Sequence, residues 1–270
     1  MLNALRSLLR PRAAAARPCV PPGQRIYAVG DIHGRADLLS ALIDAIEGDI
    51  SRRDTAATPR QTTIILLGDL IDRGPDSRGV LDLAARWGRK RAMHILLGNH
   101  EEMLLDAAEN LDVLRHFLRH GGRETLLSFD IDEATYEAAS FEEVQALLHA
   151  HIPAATLDYI RSFQTMIRMG DYVFVHAGIR PGVPLEGQSG GDLRWIREPF
   201  LSSPQDHGAV VVHGHTITDE IEQRPNRLGI DTGAYQSGHL SAIGLEGEER
   251  WLIQTDEDEA GIRVGFQPLP

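Results

Sequence analysis

Apolar runs of four or five residues recur at residues 26–29, 64–67 and 93–97, each short enough for a strand and each followed at once by a glycine. Between the first two, Leu38, Leu39, Leu42, Ile43 and Ile46 recur at the spacing that gathers side chains on one face of a helix. Residues 77–87 read as a second helix. The order strand, helix, strand, helix, strand predicts sheet layers covered by helices, an α/β class. Residues 102–168 hold no convincing strand, while 102–118 and 141–149 carry helical patterning, so about 102–170 is expected to be a helical insertion. Beyond it, runs at 172–175, 210–212, 227–230, 241–245 and 251–254 are separated by turn residues and read as strands. Two strand-rich halves predict two packed sheets. The acidic run at 256–259 reads as a solvated turn.

Polar chemistry is concentrated where these runs end: Gly-Asp-Ile-His-Gly (30–34), Gly-Asp-Leu-Ile-Asp-Arg-Gly (68–74), Gly-Asn-His-Glu (98–101), His-Ala-Gly (176–178) and Gly-His-Thr (214–216). Ligands of open α/β sheets collect at the carboxyl ends of strands, where these motifs fall. Asp, Asn and His are oxygen and nitrogen ligands for hard or borderline divalent cations. Asp31 and His33, one residue apart on a turn between glycines, can converge on one metal. Asp69 follows the next run, and its two carboxylate oxygens can bridge cations about 3.5–4 Å apart. Asn99, His176 and His215 then supply the second ion. A lone Asp or His of this set would pass as a helix cap or a buried histidine; the six in order read as a two-metal phosphoesterase site.

Asp72, Arg73 and His100 trail the ligand positions by one to four residues. His100, next to Asn99, is placed to protonate a departing alkoxide. Asp72 can orient and stabilise the protonated imidazole. Arg73 offers a planar fork to two phosphate oxygens, which lysine cannot match.

Charge narrows the substrates. The 270 residues carry 39 acidic against 27 basic side chains, a formal charge of -12, so long nucleic acids are not expected partners. Recognition of phosphate must then come from bound metal or a few arginines. Cys19 is the only cysteine, which excludes an internal disulfide, a thiolate zinc site and a redox pair, and makes the cytoplasm the expected compartment. No apolar run is long enough to span a bilayer. Residues 1–24 read as a flexible basic tail ahead of a catalytic domain at 25–270. A transit peptide, or a surface-binding helix presenting Leu2, Leu5, Leu8 and Leu9, is the alternative for that tail.

The motif set, complete and in order, resembles the phosphoprotein phosphatase family of calcineurin-like metallophosphoesterases, especially its compact bacterial and bacteriophage serine/threonine phosphatases. The likeness runs from about residue 25 to 255 without departure in the motifs. It implies a four-layer α-β-β-α sandwich of two mixed sheets flanked by helices. It implies also that Asp31, His33 and Asp69 hold one divalent ion, that Asp69, Asn99, His176 and His215 hold the other, and that His100 with Asp72 protonates the leaving group. Manganese is the expected metal, with iron or zinc equally accepted by such ligands. Residues 195–198, Trp-Ile-Arg-Glu, resemble a segment carrying a second phosphate-binding arginine, which pairs Arg197 with Arg73 and Asn99 at the phosphate. Residues 230–234 and the Gly121-Gly122 turn also recur in the compact members and are expected to be structural. In related phosphodiesterase branches a histidine two positions after the Gly-His pair joins the first metal; here Ile217 stands there, and His213 is left as a core or supporting histidine.

The expected reaction is hydrolysis of phosphoserine or phosphothreonine in proteins, or of a small phosphoester, by in-line attack of a metal-bridging hydroxide. Symmetrical diadenosine tetraphosphate hydrolases share these motifs and are the alternative, to be decided by the insertion and the 180–195 loop. Residues 195–198 favour the phosphatase. A non-catalytic binding module of the same fold is the third reading, opposed by the intact ligands and His100. Nothing in the sequence signals an oligomeric state.

Overall fold

Strands β1 (Gln24–Val29) and β2 (Gln61–Leu66) are buried almost throughout because both of their faces are covered. The computed structural model describes residues 17–54 and 59–270. The remaining strands are β3 (Ala92–Ile95), β4 (Met166–Met169), β5 (Tyr172–Val175), β6 (Val210–His213), β7 (Glu222–Arg224), β8 (Arg227–Gly229), β9 (Ser241–Glu246), β10 (Glu249–Asp258) and β11 (Gly261–Leu269). One sheet has the order β11-β10-β9-β1-β2-β3 and the other β4-β5-β6-β8-β7. Both are mixed: β1, β2 and β3 run parallel, as do β5, β6 and β8, and the flanking strands are antiparallel.

Strand alternation distributes the core into layers. Tyr27, Val29, Ile64 and Leu66 pack against Leu38, Leu39, Leu42 and Ile46 of α1 (Ala36–Arg53) and Val80, Ala84 and Trp87 of α2 (Ser77–Gly88). Ile26, Ala28, Ile65 and Leu67 point the other way and meet Tyr172, Phe174, Val210 and Val212 of the second sheet. Val173, Val175 and Val211 complete the outer face with Leu193, Ile196 and Phe200. The four layers expected from the family resemblance are present. The insertion is helical from α3 (Asn99–Ala107) through α4 (Leu111–Phe117), α5 (Arg123–Ser128), α6 (Glu133–Ala138) and α7 (Phe141–His151) to α8 (Ala154–Arg161). The short α9 (Gly190–Trp195) covers the second sheet, and α10 (Ala234–Ser237) follows β8.

Three strands depart from the sequence expectations. β4 lies inside the span read as purely helical, β7 has only three residues, two of them charged, and β11 was not anticipated. All three are sheet edges, where one side needs no partner and an apolar run is not required. The acidic run is also reassigned: residues 256–258 finish β10, and only 259–260 turn. Residues 1–16 of the expected tail lie outside the described residues. The packed body begins before β1, since Val20 is fully buried between the sheets and its N–H donates to the Gly247 carbonyl at 2.9 Å. Among the described residues no helix is long and apolar enough to cross a membrane.

Buried Asp49 ties α1 to the first sheet, accepting from Tyr27 Oη at 2.8 Å and from Trp251 Nε1 at 3.0 Å. Asp49→Ala strands both donors and is expected to cost about 2–6 kcal/mol in urea unfolding, at ~1–3 kcal/mol per unsatisfied buried group. A midpoint within error of the parent would contradict this.

Candidate metal centre

Strands β1, β2 and β3 of one sheet and β5, β6 and β8 of the other each end just before a polar residue: Asp31, Asp69, Asn99, His176, His215 and Asp231. Hydrogen bonds join these loops across the sheets, as where the His215 N–H donates to Asp31 Oδ2 at 3.0 Å. The turns are tight. His33, Asp69, Asp72, Arg73 and His215 all have φ between 46° and 73°, the left-handed region that non-glycine residues avoid. Each such residue costs of order 1–3 kcal/mol and persists only where its surroundings hold it.

Glu101 supplies much of that hold. Its carboxylate accepts from the backbone N–H of Asp69 at 2.9 Å, Leu70 at 2.7 Å and Gly98 at 3.0 Å, fastening the loop after β2 to the loop after β3. Asp69 is thereby fixed with its two oxygens facing apart. Oδ2 lies 3.6 Å from His33 Nε2 and 3.9 Å from His100 Nε2, while Oδ1 lies 3.4 Å from His176 Nε2. Burial opposes ionisation of Asp69, but the surrounding imidazoles of His176, His100 and His33 outweigh it and hold the carboxyl below its usual range.

The imidazoles present lone pairs inward. His33 Nδ1 donates to the Ile71 carbonyl and His176 Nδ1 to the Leu67 carbonyl, both at 2.8 Å, so each Nε2 is left without a proton. Burial pushes His33 and His176 below the ordinary histidine range and His215 down to about 3. His176 Nε2 then faces Asn99 Oδ1 at 2.9 Å, two acceptors turned toward each other. Buried Asp31 Oδ1 and His215 Nε2 have no hydrogen-bond partner. Burial, then the charges of Asp231 and Asp69, push Asp31 well above the carboxylate range. Burial and Asp69 likewise raise Asp231 to about 6, against the Gly233 N–H that opposes them. Crowded carboxylates and neutral imidazoles with unpaired acceptors are what divalent cations relieve, so the donor set fits them. Two clusters, His33-Asp69-His100 and Asp69-His176-His215, each gather ligand atoms within 4.8 Å and share Asp69. They suit a dinuclear site.

Beside the clusters, His100 Nδ1 donates to Asp72 Oδ2 at 2.6 Å. Thr125 of the insertion donates to Asp72 Oδ1 at 2.5 Å, and the Asp72 N–H donates to Ser77 and Thr125 at 2.9 Å. Burial works against a protonated His100, yet Asp69 and Asp72 outweigh it and raise its pKa. The Arg73 guanidinium donates to His33 Nε2 and His100 Nε2, both at 2.9 Å, with the Tyr235 ring 4.9 Å away. The Arg73 backbone N–H donates to the Gly121 carbonyl at 3.0 Å. Gly121 has φ 105°, and a Cβ there would stand 2.7 Å from Arg73 Cγ, so this turn glycine also makes room for the arginine.

The structure thus gathers Asp31, His33, Asp69, Asp72, Arg73, Asn99, His100, His176 and His215. Arg197 stands apart: it is exposed, and its charge contributes to lowering His215 after burial and His176. The firmly held arginine of that segment is Arg194, paired with Glu102, which also accepts from Trp195 Nε1 at 2.5 Å. His213 packs on Phe200 at 5.1 Å, a buried histidine outside both clusters. Sequence reasoning missed the parts played by Glu101, Ser77, Thr125, Tyr235 and Asp231. Glu101 had a signal as the last letter of Gly-Asn-His-Glu, and Asp231 lay in the 230–234 segment, which was read as structural.

A family model for the calcineurin-like phosphoesterases matches residues 24–240. The chain belongs to that family. Serine/threonine-protein phosphatase 1 of Salmonella typhimurium is 29% identical over 88% of this chain and 100% of its own length. The symmetrical bis(5'-nucleosyl)-tetraphosphatase of Dechloromonas aromatica is 27% identical over 87% and 97% respectively. Among solved structures, the cold-active protein-tyrosine phosphatase of a psychrophilic Shewanella has a TM-score of 0.56 at 17% identity, covering 94% of this chain and 88% of that one. That last likeness concerns the fold alone. As a calcineurin-like phosphoesterase, the chain is a hydrolase acting on phosphoesters.

Proposed function

We propose that this phosphoesterase is a protein serine/threonine phosphatase working on phosphate monoesters. The observation that carries the chemistry is Asp69, whose two oxygens face separate imidazole clusters. In this reading Asp31, His33 and Asp69 hold one divalent ion, and Asp69, Asn99, His176 and His215 hold a second. Bound there, two such ions, manganese in preference to iron or zinc, supply activated water and compensate phosphate charge. The chain's own groups do the rest. Arg73 turns its fork from the imidazoles to two phosphate oxygens, assisted by the Asn99 amide and, from the rim, by Arg197. His100 delivers its proton to the leaving oxygen, and Asp72, held by Thr125, keeps the imidazole protonated and oriented.

Support for a protein substrate comes from relatives that bear that name, including serine/threonine-protein phosphatase 2 of Escherichia coli, 30% identical over 81% of this chain. The anchoring of Trp195 and Arg194 on Glu102 also sets Trp195 beside His215, at the start of the 195–198 segment. The Dechloromonas relative supports a second reading, symmetrical cleavage of diadenosine tetraphosphate. The deciding experiment compares kcat/KM for a phosphothreonine peptide and for diadenosine tetraphosphate, with elemental analysis of the same protein. A dinucleotide preference would overturn the phosphatase reading. In either case Arg73→Ala should weaken phosphate or vanadate inhibition by about tenfold or more, the value of one charge-assisted pair. An unchanged inhibition constant would remove the clamp.

A further inference from the structure

Between α4 and α5 the chain leaves regular helix over Leu118–Gly122, with His120 at φ -105° and Gly121 at φ 105°. This irregular turn is the same one whose Gly121 carbonyl accepts from Arg73. His116 stands just ahead of it and Arg119 and His120 within it, all exposed. The His116 and His120 rings lie 4.1 Å apart, and His120 Nδ1 donates to the His116 carbonyl at 2.8 Å. Arg119 makes no ion pair among the described residues, whereas its neighbours Arg115 and Arg123 are engaged by Asp112 and by Glu124 and Glu133. After burial, the nearness of His120 and then of Arg119 lowers the His116 pKa, which places the guanidinium close to the imidazole pair. A chain of net charge -12 therefore places one unpaired guanidinium and two imidazoles on the turn whose Gly121 carbonyl holds Arg73.

We propose that His116, Arg119 and His120 form a second anion subsite that takes an acidic group flanking the scissile phosphate on a peptide substrate. The proposal rests on the protein phosphatase reading above. A guanidinium beside two imidazoles recognises either a carboxylate or another phosphate, and an anion entering there favours protonation of the imidazoles. Long anionic polymers are disfavoured by the rest of the surface, whereas a short acidic stretch needs only this patch. Specificity for sequence around the phosphorylated residue would thus come from the insertion, while the phosphate itself is handled by the strand-end loops.

The test measures inhibition of 4-nitrophenyl phosphate hydrolysis by three phosphothreonine peptides of one length. Their flanks are neutral, aspartate-rich or carry a second phosphothreonine. Inhibition is read whether or not the peptide is turned over. At least one anionic peptide should bind about tenfold more tightly than the neutral one, and the advantage should shrink with added salt. The larger advantage identifies the preferred group. In the Arg119→Gln, His120→Gln double variant the ratio of anionic to neutral peptide should fall to about one; being a ratio, it cancels any general loss of activity. Equal inhibition by all three peptides, or a preference that survives in the double variant, would overturn the subsite. Phosphate release from the same peptides is scored separately: absence of release contradicts the substrate reading, while the inhibition ratio still judges the patch.

Discussion

Asp69→Asn should lose bound metal and turnover together. The carboxylate oxygens face His33 and His100 on one side and His176 on the other, and among the described residues no other serves both clusters. An amide keeps the shape but offers one weaker oxygen and an N–H₂ that repels a cation. Removing cation stabilisation worth ~4 kcal/mol or more corresponds to a fall of roughly 10³-fold or greater in kcat. Elemental analysis and kcat on the same preparation check it. Full occupancy by two ions in the variant would rule out the bridge.

His100→Asn is the second large effect, and its size should depend on the leaving group. A threonine alkoxide departs only with a proton, so loss of the donor should cost about 10² to 10⁴ in turnover of a phosphothreonine peptide. Nitrophenolate leaves unprotonated, and 4-nitrophenyl phosphate should show a far smaller loss. Metal content should be unchanged. The pH profile follows from the same geometry: burial disfavours the protonated ring, but Asp69 and Asp72 outweigh it, so the acid form persists above the ordinary histidine range. The alkaline limb of the peptide profile should lie there in the parent and vanish in the variant. Equal losses on both substrates would assign His100 another part.

The candidate site was legible because its chemistry is written in short motifs at strand ends, where Asp31, Asp69, His176 and His215 each occupy the first loop after a strand and Asn99 opens the helix after β3. What stayed hidden acts at a distance. Thr125 reaches Asp72 from 53 residues away, and nothing in the local sequence of α5 marks it. Glu101 stood inside a motif, yet its service to backbone N–H groups appears only once the left-handed turns are in place. Arg197 was favoured by resemblance, while the packing invests its bonds in Arg194. Interior strands announced themselves through apolar runs, whereas β4, β7 and β11 did not, because a sheet rim asks little of its residues.

The proposed ligand positions are divided between the two sheets: Asp31, His33, Asp69 and Asn99 follow strands of one, His176 and His215 strands of the other. Ions gripped from both sides would act as rivets across the seam of the sandwich. Chelation should then lower the melting temperature as well as the rate, because a ligand at a hundred times its Kd contributes about 2.7 kcal/mol to the folded state. Heat resistance would become a gauge of how well the protein is supplied with metal.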